Sequence, residues 1–283
     1  MAAGEGSTRS GPLAVGSGKV EPMTGFDIDE IPSALQRHLP VGAELVWPAQ
    51  GMTSEVALAV GTSGTVVLKR CTNPIYLTWL RREHEVLLAI AHLGLPVPNV
   101  IDHTEQSGSS GPEAWLVMSC LPGRSLWSAM LEAPDGERGP LLQRLGLFLR
   151  ALHSARIPEA LGQPKDWISR KLEQARANLD WCDGDEGLLR WLEESRPAPV
   201  PEVLIHGDPS LDNVLIDEGG VLSLIDWSGG DCGDPRYDIA LALRTEPEIT
   251  LGAHEVASFH SAHGGAPMDA RTQRWFELLY EFS

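Results

Sequence analysis

Residues 205–226 read IHGDPSLDNVLIDEGGVLSLID, a segment that sets three polar residues around two short apolar runs. Asp208 follows a His-Gly step, Asn213 stands five residues later, and Asp226 ends the second run. Val214-Leu215-Ile216 and residues 221–225 flank Glu218-Gly219-Gly220, the pattern of a β-hairpin closed by a tight glycine turn. A hairpin brings its ends together, which predicts that Asp208 and Asn213 lie beside Asp226. Two carboxylates and an amide meeting at one point offer hard oxygen ligands and a base, the equipment for Mg²⁺ and a phosphoryl acceptor. Acids at hairpin ends are also common as solvated groups, so the spacing alone leaves both readings standing.

The motif His-Gly-Asp, then Asn213, then Ile225-Asp226 resembles the catalytic and metal-binding signature of the aminoglycoside phosphotransferase family. These are small-molecule kinases with a protein-kinase-like fold. The likeness continues in Gly233-Asp234-Pro235-Arg236-Tyr237-Asp238-Ile239-Ala240-Leu241 and covers roughly residues 30–283. It implies a two-lobed α+β fold, with a small β-rich N-lobe, a larger and mainly helical C-lobe, and the nucleotide in the cleft between them. It further implies that Asp208 is the catalytic base, and that Asn213 and Asp226 hold the Mg²⁺ that bridges the phosphates of ATP or GTP. His206 and Asp238 are implied to support the catalytic loop, Asp238 bracing it from the next helix. On residue type alone His206 is also a candidate general base, since imidazole titrates near neutrality.

Composition narrows the field. A chain of 283 residues can hold two lobes with separate cores, and its 42% hydrophobic and 22% charged content is that of an ordinary globular protein. No apolar stretch approaches the ~20 residues of a membrane span. The first 25 residues are rich in Gly, Ser and Pro, and their longest apolar run, Pro12-Leu13-Ala14-Val15, is too short for a secretory signal; a flexible tail is expected. Cys71, Cys120, Cys182 and Cys232 are widely spaced, which points to free thiols in a reducing cytoplasm. A net charge of −17 argues against a nucleic-acid partner and suits a cationic small molecule, although it also serves plain solubility. No protein partner is suggested.

Residues 26–121 read as the nucleotide-binding lobe and 122–283 as the catalytic and substrate-binding lobe, with the boundary at Leu121-Pro122-Gly123. Residues 55–60 and 65–69 are apolar runs separated by Gly61-Thr62-Ser63-Gly64, a hairpin pattern. Leu80, Leu87 and Ile90-Ala91 repeat at helical spacing before a Gly94-Leu95-Pro96 stop, and residues 115–118 form another strand. Leu141, Leu145, Phe148, Leu149 and Leu152 make the stripe of a core helix. His153, which follows it, reads as a core or surface residue.

Lys69 closes its strand as the phosphate-pairing lysine does in the resembled kinases, and Glu83 stands at the place of the glutamate that pairs with it; Glu85 competes on sequence alone. Gly51, Thr53 and Ser54 fall where the family has a loop over the phosphates. Met118-Ser119-Cys120-Leu121 falls at the hinge, where main chain of Ser119 and Leu121 would contact the adenine edge and Met118 would pack near the base.

On the acceptor side, the terminal amphipathic segment resembles the last helix of the aminoglycoside 3′-phosphotransferases. Glu281 matches a family glutamate that contacts drug amines, whereas Tyr280 replaces an aspartate and Ser283 the terminal aromatic. Gly229 stands where the family usually has an arginine. A second acidic group, Asp180, Asp183, Asp185 and Glu186, lies in the insert before the catalytic loop and is either substrate-binding or solvated. The expected activity is Mg²⁺-dependent transfer of a γ-phosphoryl group to a small-molecule hydroxyl, most simply that of an aminoglycoside. The rivals are a kinase of a macrolide, a choline-like amino alcohol or a sugar, and a silent kinase-like binding protein. The last should lack the lysine, base or metal residues, yet Lys69, Asp208, Asn213 and Asp226 all stand. No Gly-x-Ser-x-Gly elbow supports a hydrolase.

Overall fold

A computed structural model describes residues 25–48, 53–108, 111–134, 136–162, 165–245 and 248–283. Apart from Gly25, the expected tail lies outside the described residues, as does Gly51. The N-terminal part is an antiparallel five-stranded sheet. Its strands are β1 (Glu44–Val46), β2 (Glu55–Gly61), β3 (Gly64–Cys71), β4 (Val100–Gly108) and β5 (Gly111–Ser119), in the order β1-β2-β3-β5-β4. Short helix α1 (Ser33–Gln36) precedes it, and helix α2 (Leu77–Ile90) lies between β3 and β4. The β2–β3 turn is tighter than the sequence pattern suggests, because Gly61 and Gly64 themselves pair and leave only Thr62 and Ser63 to turn.

Period-two alternation divides the sheet's faces. Leu68, Trp115 and Val117 turn to one side, where Phe26, Ile31 and Leu35 cover them. Cys71, Ala114, Leu116 and Met118 turn to the other and join Leu80, Val86, Leu87 and Ile90 of α2. Lys69 shares parity with Cys71 and therefore faces α2. On α2 the buried positions are Leu80, Glu83, Val86, Leu87 and Ile90. Glu83 thus sits in the apolar stripe of its helix, while Glu85 is exposed.

The remainder is mainly helical: β6 (Arg124–Ser125), α3 (Leu126–Glu132), α4 (Arg138–His153), α5 (Trp167–Asn178), α6 (Glu186–Glu194), β7 (Val203–Ile205), β8 (Val214–Ile216), β9 (Leu222–Leu224), β10 (Asp231–Gly233), α7 (Pro235–Ala242), α8 (Ala253–His263) and α9 (Ala270–Tyr280). Helix α4 buries Leu142, Leu145, Leu149 and Leu152, whereas Leu141 and Phe148 are only half-buried, so three of the expected positions hold and Leu142 replaces Leu141 at the start of the stripe. Gly146 is also buried, and a Cβ there would lie 2.4 Å from the Phe259 carbonyl, so α4 and α8 cross in backbone contact. The predicted hairpin is present as β8 and β9, with Val214 opposite Leu224. Its turn is closed by Asp217, whose Oδ1 accepts from the Val221 amide at 2.8 Å.

Candidate active site

The hairpin carries Asn213 just before β8 and Asp226 two residues after β9, and the Ile225 amide donates to the Asn213 carbonyl at 3.0 Å. Asp226 has φ +66°, the only left-handed non-glycine backbone among the described residues. Such a conformation disfavours most side chains, but Asp tolerates it better than most. The kink begins a short 3₁₀ turn and turns the carboxylate back toward β3.

There it meets Lys69. The Lys69 Nζ donates to both oxygens of Glu83 at 2.8 Å and to Asp226 Oδ1 at 3.2 Å. Burial works against the ammonium, yet the Asp226 and Glu83 carboxylates outweigh it and hold Lys69 above the usual lysine range. Asp226 lies below the usual carboxylate range because of Lys69. Its side chain remains 44% exposed, against 9% for Lys69. Thr53 and Ser54 line the same small cavity as Glu83 and Asp226.

Asp208 is clamped by the Asn213 amide. Asn213 Nδ2 donates to its Oδ2 at 3.0 Å and to its carbonyl at 3.1 Å. Because both contacts use the amide nitrogen, the Asn213 oxygen is directed away from Asp208 and is left as a hard donor. Burial, and then the charge of Asp226, push the Asp208 carboxyl up to about 6, against hydrogen bonds from Tyr280 and Ser210 that pull it down.

The loop before Asp208 is held from beneath. Asp238 is fully buried, and its two oxygens accept from the His206 and Gly207 amides at 2.8 Å. His206 Nε2 contacts the Ile225 carbonyl at 3.0 Å, and Nδ1 accepts from the Asp208 amide at 3.2 Å. Both ring nitrogens are thereby engaged and burial keeps the ring neutral, so His206 has no lone pair for a substrate proton. Gly207, at φ +87°, meets Gly229: a Cβ at 207 would lie 2.2 Å from the Gly229 carbonyl, and one at 229 would lie 3.2 Å from Gly207. The close approach requires glycine at 207, whereas a Cβ at 229 would be tight and is only disfavoured.

Three contacts escaped sequence reasoning. His153 is a partner of Asp238, with Nε2 3.2 Å from Oδ2, although its Ala-Leu-His setting gave no sign of it. Ser119 donates its amide to the Asn99 carbonyl at 2.9 Å, which removes that N–H from the expected adenine contacts. Tyr280 OH donates to Asp208 Oδ2 at 3.3 Å, under the Arg244 guanidinium, which lies 5.4 Å from the ring centre. Met118 is buried beneath the hinge and Leu121 is half-buried. Tyr280→Phe keeps the ring and removes the donor, so kcat should fall by about three- to tenfold with an unchanged nucleotide KM. Equal changes in kcat and nucleotide KM would show a structural role instead.

The acidic candidates divide. Glu281 follows α9 and pairs with Arg244 at 3.4 Å, so its carboxylate is already shared with a cation. Asp185 caps α6 by accepting from the Leu188 amide at 2.7 Å. Asp180, Asp183 and Glu186 are exposed. Among the described residues no group of three or more His, Cys, Asp or Glu is arranged to hold a metal by itself. Asn213 and Asp226 suit Mg²⁺ instead, which takes few protein oxygens and completes its shell with water and phosphate.

A profile of the phosphotransferase enzyme family matches residues 48–275. An aminoglycoside 3′-phosphotransferase of Streptomyces fradiae is 28% identical over 225 residues, which cover 73% of this chain and 76% of that one. Mouse acyl-CoA dehydrogenase family member 10 is 29% identical over 173 residues, 57% of this chain but only 16% of that protein's length. The apoenzyme of macrolide 2′-phosphotransferase MphH from Brachybacterium faecium superposes with a TM-score of 0.60 at 17% identity, covering 90% of this chain and 88% of that one. No helix among the described residues is long and apolar enough to cross a membrane.

Proposed function

We propose, for a chain that belongs to the phosphotransferase enzyme family, transfer of the γ-phosphoryl group of ATP or GTP to a hydroxyl of an aminoglycoside. The observation that carries this is the convergence of Lys69, Glu83 and Asp226 on one side of the hairpin with Asp208 and Asn213 on the other. Lys69, pinned by Glu83, presents its ammonium to the nucleotide phosphates. Asp226 and the Asn213 oxygen hold Mg²⁺, which neutralises phosphate charge when bound. Asp208, its orientation fixed by Asn213 and Tyr280, accepts the acceptor hydroxyl's proton as the oxygen attacks. Without a metal the carboxyl is held near 6 and is more basic than an ordinary aspartate; a cation on Asp226 would offset the charge that helps raise it and favour the ionised form needed for that task.

The Streptomyces relative is named for aminoglycosides, and the charge of −17 favours a cationic acceptor. Glu281 supports this reading only in competition with Arg244. Glu281→Gln should therefore raise the acceptor KM by about three- to tenfold, with less effect at high salt, and leave the nucleotide KM unchanged. The deciding experiment is nucleotide consumption by the purified chain with Mg²⁺ and kanamycin, erythromycin, choline or glucose. Kanamycin-dependent turnover is expected. Turnover with choline or glucose alone would refute the aminoglycoside, and no turnover with any acceptor would refute the kinase.

A further inference from the structure

Three aromatic rings run in a row away from the Asp226 cavity, and phosphoryl transfer as derived above uses none of them. Tyr76, which precedes α2, and Trp79, in its first turn, both line that cavity, with their ring centres 5.2 Å apart. Trp79 then meets Trp181, which belongs to the insert between α5 and α6, at 6.3 Å and a tilt of 53°. Trp181 is 41% exposed. One exposed indole would carry no meaning, but three contiguous rings at the rim of a site form an apolar patch of the kind that ligands use.

Two independent routes bring Trp181 to the reacting groups. Through Trp79 it adjoins the cavity that Asp226 lines. Through the main chain, the Gly184 amide donates to the Glu281 carbonyl at 3.1 Å and Asn178 Nδ2 donates to the Phe282 carbonyl at 2.7 Å. Those bonds fasten the insert to the end of α9, one residue from Tyr280 and its bond to Asp208. The insert is thus tied to the segment that carries Tyr280 and, through Trp79, adjoins the cavity that Asp226 lines.

We propose that Tyr76, Trp79 and Trp181 form a stacking shelf, shared between the sheet lobe and the helical lobe, for the apolar ring face of a cyclic hydroxylated acceptor. This rests on the phosphotransferase reading and extends it. A sugar or aminocyclitol ring turns C–H groups to one face and carries its hydroxyls and ammonium groups at the edge. An aromatic face is electron-rich and attracts both C–H groups and cations. Asp180 and Asp183 flank Trp181 in the sequence and are exposed, so amines at the ring's edge would find carboxylates there. Because Trp79 and Trp181 come from different lobes, a ring seated on both also draws the lobes together around the reacting groups.

The test uses the full chain. Tryptophan fluorescence is titrated with kanamycin, erythromycin and choline, and steady-state turnover of each is measured with ATP and Mg²⁺. A cyclic acceptor should quench the fluorescence and choline should not. Trp181→Ala should raise the KM for that cyclic acceptor by about tenfold and remove most of the quench, with the KM for ATP moving less than about twofold. Trp181→Phe keeps a stacking ring and should recover most of the acceptor affinity. An unchanged acceptor KM in Trp181→Ala would overturn the shelf. A parallel rise in both KM values would do the same, because the pair would then only clasp the lobes. Turnover of choline with no quench by either cyclic compound would also overturn it. A protein that turns over none of the three, nor glucose, loses the phosphotransferase reading, and the presence or absence of the quench then decides the shelf alone.

Discussion

Asp208→Asn should lower turnover by about two to four orders of magnitude, the range that a positioned general base supplies. The nucleotide should still bind, because Asp208 contacts Asn213, Tyr280 and Ser210 rather than Lys69. The same substitution should stabilise the metal-free protein at neutral pH. The folded carboxyl titrates near 6 rather than at its ordinary 3.8, so the folded state holds this proton more tightly than the unfolded one. Its contribution is neutral below pH ~4, turns destabilising between ~4 and ~6, and is complete above that, at up to roughly 3 kcal/mol. Asparagine removes the charge but keeps an oxygen for Asn213 and Tyr280. Thermal melts without Mg²⁺ should therefore show Asp208→Asn melting above the wild type at pH 7.5 and losing that lead near pH 4. A variant with near-normal kcat would remove Asp208 from the base role. A variant that melts lower at pH 7.5 would contradict the strained carboxylate.

What the sequence revealed follows from how local each signal is. The hairpin, its turn and the approach of Asn213 to Asp226 sit within a stretch of 22 residues, and alternation in β3 and β5 is enough to put Lys69 on the face that meets α2. Glu83 and Glu85 were separable in principle, since only Glu83 continues the stripe of Leu80 and Leu87. The contacts that stayed hidden join distant segments. Tyr280 reaches Asp208 across 72 positions, and His153 reaches Asp238 across 85. No periodicity encodes such pairs. Tyr280 stood out in sequence only as a departure from an expected aspartate, and its contact gives that departure a physical content. An aspartate there would bring a second negative charge to a carboxylate that is already hard to ionise, whereas a phenol brings a donor.

The acceptor side was the least legible part, for a related reason. Exposed acids mean little until their neighbours are known. Glu281 proves to be tied to Arg244, and Asp185 to the first turn of α6. The aromatic rings beside them carry no motif at all, because Trp79 and Trp181 become neighbours only when the two lobes meet.

Asp226→Asn should weaken the apparent Mg²⁺ affinity of the enzyme–nucleotide complex by at least about tenfold and cut turnover by about two orders of magnitude or more. Asparagine is the informative substitution because it accepts the left-handed backbone that Asp226 adopts at φ +66°, whereas alanine would add a conformational penalty of about 1–2 kcal/mol. The change thus removes charge and little else. It should leave Lys69 paired to Glu83, since that contact runs through both Glu83 oxygens and is shorter than the one to Asp226. Nucleotide binding measured without Mg²⁺ should therefore be nearly unchanged, or slightly tighter, because a carboxylate facing the phosphates has gone. The defect should appear only when Mg²⁺ is titrated in. An Mg²⁺ dependence identical to that of the wild type would show that Asp226 serves Lys69 alone. A loss of nucleotide affinity without Mg²⁺ would show that its charge organises the lysine rather than the metal.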